Sequence, residues 1–199
     1  MTPAAQANRR GTRDAARTRQ AILEAASTLI ARDGTGASLA AIAAQAGVTK
    51  SGLMHHFASR DALFEALVTE AVASFHDSVN RRLDLSENHP GKLLRAYVHV
   101  LCDDAEAAPG EKRAFNKYEY SSISIALHGI PTAAAIISED AYWWTRELAA
   151  DGLPAETVFL VRLAADGLTA MSICSPSHAR ELAPQIRAQL VDLTTASSS

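Results

Sequence analysis

Long apolar runs are absent from this sequence: none approaches the roughly 18 uninterrupted residues that span a bilayer as a helix. The arginines near the N-terminus are not followed by an apolar stretch, so no secretory signal is predicted. The two cysteines, Cys102 and Cys174, lie far apart without metal-site spacing, and we expect reduced core thiols rather than a disulfide. Together these absences predict a cytoplasmic protein with no membrane partner.

Turn-forming residues are also scarce. Ten glycines and seven prolines in 199 residues are too few for an all-β chain with many tight turns. No segment alternates polar and apolar residues with period two, so no strands are predicted. With 48% apolar residues, the chain can nevertheless bury a real core. The sequence therefore predicts an all-α protein.

Charge is divided unevenly along the chain. Residues 1–60 contain eight Lys and Arg against three acids, a net charge of +5, whereas residues 61–199 contain eleven against nineteen, a net charge of −8. A basic N-terminal part on an acidic body is typical of a protein whose N-terminal part meets a polyanion. The charge distribution alone is equally consistent with a flexible basic tail that has no partner.

Helical periodicity starts at Arg13, after a polar and aperiodic segment, residues 1–12, that we expect to be a flexible basic arm. Apolar residues from Ile22 to Ile30 then mark one buried helix face, and Gly34 ends that helix. We expect the next three helices to have N-caps at Ser38, Thr49 and Ser59.

The rest of the chain is divided into helices by prolines and glycines. Pro90, Pro131 and Pro154 fit helix starts, Ser177 fits an N-cap, and a sixth helix is predicted over residues 111–128. About nine helices result. We expect the chain to divide into residues 13–60 and residues 61–199, with residues 60–83 as the linking helix.

The motif with the clearest function is the segment 38–57, SLAAIAAQAGVTKSGLMHHF. Two short helices joined by a tight turn at Gly47 are the helix-turn-helix arrangement, in which the second helix presents its N-terminal residues to the major groove. Those residues are short and polar or charged, so they can reach phosphates and base edges. A glycine at position 52 is unfavourable in a helix, and close approach of the backbone to DNA is one reason for it.

Residues 17–67 closely resemble the N-terminal domain of the TetR/AcrR family of repressors, through RTRQAILEAASTLIARDG, SLAAIAAQAGVTKSGLMHHF and ASRDALFEAL. The resemblance implies a homodimer with a DNA-binding head at residues 13–60 and a C-terminal ligand-binding and dimerisation domain at residues 61–199. Such a dimer binds a palindromic operator and leaves it when a small-molecule effector enters the C-terminal domain. Many relatives have a phosphate-binding tyrosine where this chain has Met54, so that contact is in doubt. The DNA-binding residues that the family pattern implies are Ser38, Thr49, Lys50, Ser51, Gly52, His55, His56, Ser59 and Arg60.

In the second half the resemblance is weaker, and VRLAADGLTAM at 161–171 looks like the family's eighth helix. By resemblance, helices eight and nine form the dimer interface, with Ala164, Gly167, Leu168, Met171, Ile186 and Leu190 as candidates. An apolar pocket is expected among helices five to eight. Its candidate lining residues are Tyr97, Phe115, Tyr118, Tyr120, His128, Trp143 and Trp144. For any single one of them, ordinary packing in the core or in an interface is the favoured alternative.

Two other functions, that of an enzyme and that of an architectural DNA-binding protein, compete with that of a ligand-responsive repressor. An enzyme is disfavoured because no nucleophile–base arrangement or phosphate-binding glycine loop is evident, and no cofactor is expected. A metal site at His55 and His56 is disfavoured because adjacent helical side chains point about 100° apart. An architectural DNA-binding protein that responds to no ligand stays open, and a cavity in the C-terminal domain would count against it.

Overall fold

A computed structural model describes residues 3–107 and 120–196 of the chain, and within these residues it contains nine α-helices, one short 3-10 turn and no strand. The all-α expectation is confirmed. The 3-10 turn spans Gly34–Gly36. The helices are α1 (Pro3–Asp33), α2 (Leu39–Gln45), α3 (Lys50–His56), α4 (Arg60–Arg82), α5 (Lys92–Glu106), α6 (Tyr120–Leu127), α7 (Pro131–Ala149), α8 (Ala155–Cys174) and α9 (Pro176–Ala196).

Side-chain caps define the starts of α2, α3 and α4, as the sequence predicts. The hydroxyl of Ser38 accepts from the backbone N–H of Ala41 at 3.1 Å, and Thr49 and Ser59 accept from residues three positions later at 3.0 Å. Each cap satisfies one of the N–H groups that a helix start leaves without an intrahelical acceptor. These caps set the boundaries of the short helices, which have few internal hydrogen bonds of their own.

Helices α1 to α4 enclose a hydrophobic core, which we call the head core. This core is continuous with part of the body, by which we mean helices α5 to α9. Ile22, Ile42, Leu53 and Phe64 are at most 1% exposed there. The same cluster contains residues of α6 and α7, namely Ile123, Leu127 and Ala133. The head is therefore packed against α6 and is not joined to the body by α4 alone.

Helix α5 lies at the centre of the body, between α4, α8 and α9. Its N-cap is Gly91, at φ +85°, where an added Cβ would lie 2.5 Å from Leu153 Cδ1. Only glycine fits this left-handed and crowded position. Arg95 is buried one turn later and donates to Glu87 and to the carbonyl oxygen of Pro90, which fixes the loop between α4 and α5.

Several sequence expectations differ from the structure. The segment expected as a flexible arm is helical from Pro3, because its alanine, glutamine and arginine residues have high helix propensity. The fifth helix begins at Lys92 rather than at Pro90, and the ninth at Pro176 rather than after a Ser177 cap. The first half of the expected sixth helix lies outside the described residues.

The two cysteines also differ: Cys102 is buried, whereas Cys174 is exposed rather than in the core.

Helix α8 is long and apolar enough, by length and composition alone, to cross a membrane, although charged residues such as Arg162 and Asp166 interrupt it. Only 22% of its most apolar 18-residue window is buried within the chain. Its most exposed large apolar residues are Phe159, Leu160 and Leu163, which are 68%, 54% and 59% exposed. A surface of this kind on an otherwise packed helical body is typical of a protein–protein contact.

Candidate nucleic-acid interface and effector site

Helices α2 and α3 form the two arms of the helix-turn-helix. Ile42 and Ala43 of α2 and Leu53 of α3 are buried against the head core. Gly47 makes the turn at φ +70°, and the N–H of Val48 donates to the carbonyl oxygen of Ala43 at 2.9 Å. This packing leaves the outer face of α3 open to solvent.

The exposed tip of α3 consists of Thr49, Lys50 and Ser51. The Thr49 hydroxyl accepts from the N–H of Gly52 and lies 3.1 Å from the Ser51 hydroxyl. The side chains at the tip are therefore short and ordered, apart from the longer Lys50. Such a tip can enter a major groove, where phosphate contacts set affinity and base contacts set sequence preference.

Local packing, as well as close approach to DNA, favours glycine at position 52. A Cβ at this position would lie 3.2 Å from Thr49 Oγ1 and 3.7 Å from Val48 Cβ. The first contact is tighter than ordinary packing and would press on the cap of α3. Cap geometry and close approach to DNA thus both favour glycine at this position.

Arg60 lies at the start of α4 but is already engaged within the head. Its guanidinium donates to the carbonyl oxygens of Thr35 and Ala37, the latter at 2.9 Å, and lies 5.0 Å from the centre of the Phe64 ring. These contacts hold the segment before α2 onto α4. The phosphate contact implied by the family pattern remains a prediction, and it competes with these bonds.

The remaining head candidates lie near the end of α3 and the start of α4. His55 and Ser59 are exposed, whereas His56 and Met54 are half-buried. The two imidazole rings are 5.8 Å apart and nearly perpendicular. Among the described residues no group of three or more His, Cys, Asp or Glu could hold a metal ion.

In the body, four of the predicted effector residues meet around Phe75 of α4. The ring of Phe75 stacks on Tyr120 at 4.8 Å and meets the edges of Tyr97 and Trp144 at 5.5 Å. Trp143 joins the cluster through its contact with Trp144 at 4.9 Å. We call these five residues the aromatic cluster. Aromatic rings of this kind form apolar ligand sites and equally form packed cores.

Two polar side chains, Asp140 and His76, contact the aromatic cluster and are linked to the hydroxyl of Tyr120. Asp140 of α7 is buried, with one carboxylate oxygen 2.5 Å from His76 Nε2 and the other accepting from the Tyr120 hydroxyl. This arrangement joins α4, α6 and α7. Burial, followed by the charge of Asp140 and the hydrogen bond to it, raises the pKa of Tyr120, so the phenol stays protonated as a donor.

A second polar contact lies on the α8 side of the aromatic cluster. The hydroxyl of Tyr97 donates to Asp166 at 2.6 Å. Burial raises the pKa of both groups, and for Tyr97 the negative charge of Asp166 raises it further. The bond couples α5 to α8 beside a surface groove of about 450 Å³ between α7 and α8, lined by Thr145, Ala149, Ala155, Val158, Phe159, Arg162, Leu163 and Asp166.

Not all effector candidates belong to the aromatic cluster. His128 is exposed beyond the end of α6, and Phe115 and Tyr118 lie outside the described residues. Sequence reasoning missed Phe75, His76 and Asp140 as cluster residues. Phe75 belongs to the apolar stripe of α4, which by itself indicates only a core residue. Asp140 could have been found from its spacing, because it precedes Trp143 by three residues on one helix and residues at that spacing share a face.

The predicted dimer residues divide into two groups. Leu168 and Leu190 are buried in the core of their own chain, at 2% and 5% exposure. Ala164, Met171 and Ile186 are half-buried and pack against that core, and Gly167 is exposed. The most exposed apolar residues of α8, Phe159, Leu160 and Leu163, lie nearer its N-terminus than most of these candidates.

Two family models match the chain over much of its length. Residues 22–67 match a family described as bacterial regulatory proteins, tetR family, and residues 91–195 match one described as tetracyclin repressor-like, C-terminal domain. The second match covers more than half of the chain.

Individual relatives agree with these matches. The HTH-type transcriptional regulator BetI of Pectobacterium atrosepticum is 33% identical over 115 residues, which are 55% of this chain and 58% of BetI. The alignment thus spans less than two thirds of that relative. Two similar solved structures are EbrR, a multidrug binding protein complexed with malachite green, and NalD, the secondary repressor of the MexAB-OprM multidrug efflux pump in Pseudomonas aeruginosa.

Both structures share the fold of this chain at low sequence identity. EbrR has a TM-score of 0.63 at 24% identity and covers 88% of this chain and 97% of its own. NalD has a TM-score of 0.59 at 18% identity and covers 90% of this chain and 96% of its own.

Proposed function

Because the chain belongs to the TetR family of bacterial transcriptional regulators, we propose that it is a homodimeric repressor that binds a palindromic operator and is released by a small molecule. The observation that carries the proposal is the tip of α3. Thr49, Lys50 and Ser51 are exposed there, while the rest of α3 is anchored by the buried residues Leu53 and Phe57. A rigid anchor with an exposed, cationic tip is what reading of a major groove requires.

The charge distribution supports the same proposal. The head is basic and the body acidic, so the field of the molecule favours approach of a polyanion to the head. The proposed operator contacts are those of the family pattern at the start of α2, along α3 and at Ser59, while Arg60 is expected to act through its bonds to the segment before α2. Among them we expect Lys50 and Ser51 to contribute most, since both are exposed at the tip of α3.

Dimerisation is proposed through the exposed apolar face of α8 together with α9. Two heads must be about 34–36 Å apart to enter successive major grooves on one side of the duplex, and a dimer sets that distance. A palindromic operator follows from the two-fold symmetry of such a dimer. NalD, a protein of similar fold, is a repressor, and this supports repression rather than activation as the activity of this chain.

The aromatic cluster is the proposed effector site. It touches α4 through Phe75 and His76, and α4 continues into the head core through Leu67 and Val68. A ligand that prefers one placement of α4 would change operator affinity by its differential affinity for the two states. EbrR is a multidrug binding protein with the same fold, which supports a small-molecule effector here.

The test is selection from a random duplex DNA pool at about physiological salt, with wild type, Lys50→Ala and Arg146→Ala in parallel. We expect wild type and Arg146→Ala to enrich one palindrome, and Lys50→Ala to lose or weaken it. Arg146 is the matched control because it is an exposed cation on α7, remote from the head.

Two outcomes would contradict the proposal. Equal enrichment by all three proteins would remove Lys50 from the interface. No enrichment, with tight binding to random duplexes, would favour an architectural DNA-binding protein.

A further inference from the structure

The side chain of His76 occupies a site whose walls are two indole rings and a carboxylate. Its ring centre lies 4.3 Å from that of Trp143 and 4.7 Å from that of Trp144, and its Nε2 is 2.5 Å from Asp140 Oδ1. We call Asp140, Trp143 and Trp144 the cage. An aromatic surface combined with a carboxylate is the environment in which proteins bind organic cations.

Two of the three cage residues are buried, and Trp143 is half-buried. The side chain of Asp140 is 3% exposed and Trp144 is 2% exposed, whereas the side chain of His76 is 22% exposed. A carboxylate in such a place is costly unless a cation or hydrogen-bond donors pair with it. If His76 leaves, one oxygen of Asp140 loses its partner and the indole faces open toward solvent.

Space for the body of a ligand lies directly beside the cage. A surface groove of about 410 Å³ is lined by Trp143 together with Ser138, Glu139, Tyr142 and Arg146. Trp143 therefore forms a wall of both the cage and the groove. Of the charged residues of the groove, Glu139 favours a cation and Arg146 opposes one. Both are exposed, so solvent screens both, and Asp140 in the cage is the carboxylate that selects the charge of the ligand.

We propose that the cage is the binding site of an organic cation, an aromatic or alkyl ammonium compound, and that His76 is an internal occupant which this cation displaces. The cation takes the contact of His76 with Asp140 and the faces of Trp143 and Trp144, and its apolar part lies in the adjoining groove. The consequence for DNA rests on the proposed function: His76 belongs to α4, so its displacement alters the helix that packs into the head.

The test is calorimetric titration of the full chain without DNA, using N-methylquinolinium as the cation and quinoline as the neutral control of nearly equal shape. The variants are Asp140→Asn, His76→Ala and, as a matched histidine control outside the cage, His128→Ala. Tryptophan emission is a second readout, because the only two tryptophans of the chain are Trp143 and Trp144.

The proposal expects a distinctive pattern of affinities. Wild type and His128→Ala bind N-methylquinolinium equally and at least about tenfold more tightly than quinoline, because only the cation gains from the carboxylate. Asp140→Asn loses about tenfold for the cation and changes little for quinoline. His76→Ala binds the cation about fivefold more tightly, because the cage no longer has to be vacated.

Three results would overturn the proposal. These are equal binding of cation and neutral control, an Asp140→Asn affinity equal to that of wild type, or weaker cation binding by His76→Ala. Thermal melts check that each variant is folded. If Asp140→Asn is not folded, Trp143→Leu takes its place, since that ring is half-buried, and unchanged cation binding by it counts against the cage. Because no DNA is present, failure of this titration is distinct from failure of operator selection.

Discussion

The guanidinium of Arg60 has two competing sets of partners, DNA phosphates and the carbonyl oxygens of Thr35 and Ala37. The second set is present in the structure, and the Phe64 ring covers one face of the guanidinium. At the scale of single residues, Arg60 therefore affects DNA binding indirectly, by holding the loop before α2 in place. Lys50, exposed at the tip of α3, differs from it in this respect.

This difference predicts separate effects of Arg60→Gln and Lys50→Ala. We expect Arg60→Gln to lower the free energy of unfolding by about 1–3 kcal/mol, because the carbonyl oxygens lose a charged donor. It should weaken DNA binding without changing its salt dependence. Lys50→Ala should reduce the slope of log K against log salt concentration by about one. Fluorescence anisotropy titrations of labelled DNA at several salt concentrations measure both slopes. A reduced slope for Arg60→Gln would establish Arg60 as a phosphate contact.

The two cysteines give a second prediction for single residues. Burial raises the pKa of Cys102 to about 11, whereas Cys174 is exposed. Because the thiolate is the reactive form, we expect one thiol per native chain to react rapidly with a disulfide reagent at pH 8, and two after denaturation. Cys174→Ser should abolish the rapid reaction. Two rapid thiols in the native wild type would contradict the burial of Cys102.

At the scale of secondary-structure elements, the short helices of the head depend on their caps. Helix α3 spans only seven residues, and the Thr49 hydroxyl satisfies one of its first N–H groups. Helices of this length are not stable alone, so cap and packing together determine where they start. The cap is also the part of α3 nearest to the candidate base-reading residues.

We therefore predict that Thr49→Val lowers the free energy of unfolding by about 1 kcal/mol. The matched control is Thr28→Val, since Thr28 is exposed and bonds to the carbonyl oxygen of Glu24 within α1, where it caps nothing. Urea unfolding measures both. Equal losses from the two variants would show that the hydroxyl of Thr49 has no capping role.

Elements also differ in how well the sequence predicts them. Ser38, Thr49 and Ser59 were predicted as caps and are caps, because an N-cap needs only a hydroxyl and the following turn. The start of α9 was misplaced at Ser177, and its Pro184 lies inside the helix. Packing of Ala179 and Ala183 in the body core keeps this helix continuous, and such tertiary support is not visible in local sequence.

At the scale of the whole molecule, the exposed apolar face of α8 requires a partner. Phe159, Leu160 and Leu163 are more than half exposed in the single chain, while other faces of the same helix are buried in the body core. Association of two copies would remove this surface from water, at roughly 25 cal/mol for each Å² buried. The proposed two-fold spacing of the heads depends on this contact.

We predict that wild type is a dimer and that Leu163→Glu is a folded monomer, because a carboxylate in an apolar interface is costly to desolvate. Leu85→Glu is the matched control, since Leu85 is 84% exposed on the loop between α4 and α5. Light scattering coupled to size exclusion gives the mass, with 21.2 kDa for one chain. A dimeric Leu163→Glu would place the interface elsewhere.

The sequence by itself determined the helical class, the helix-turn-helix and its caps, and the family, because each depends on residues within a few positions of one another. Four of the aromatic candidates contact one another in the body, around a Phe75 that the sequence did not single out, and their role in ligand binding stays a prediction. Only the tertiary structure decided that His76 meets Asp140, 64 positions away, and that Arg60 binds the loop before α2. Such contacts depend on how separate helices pack, and no local pattern of hydrophobicity or charge encodes which polar groups that packing brings together.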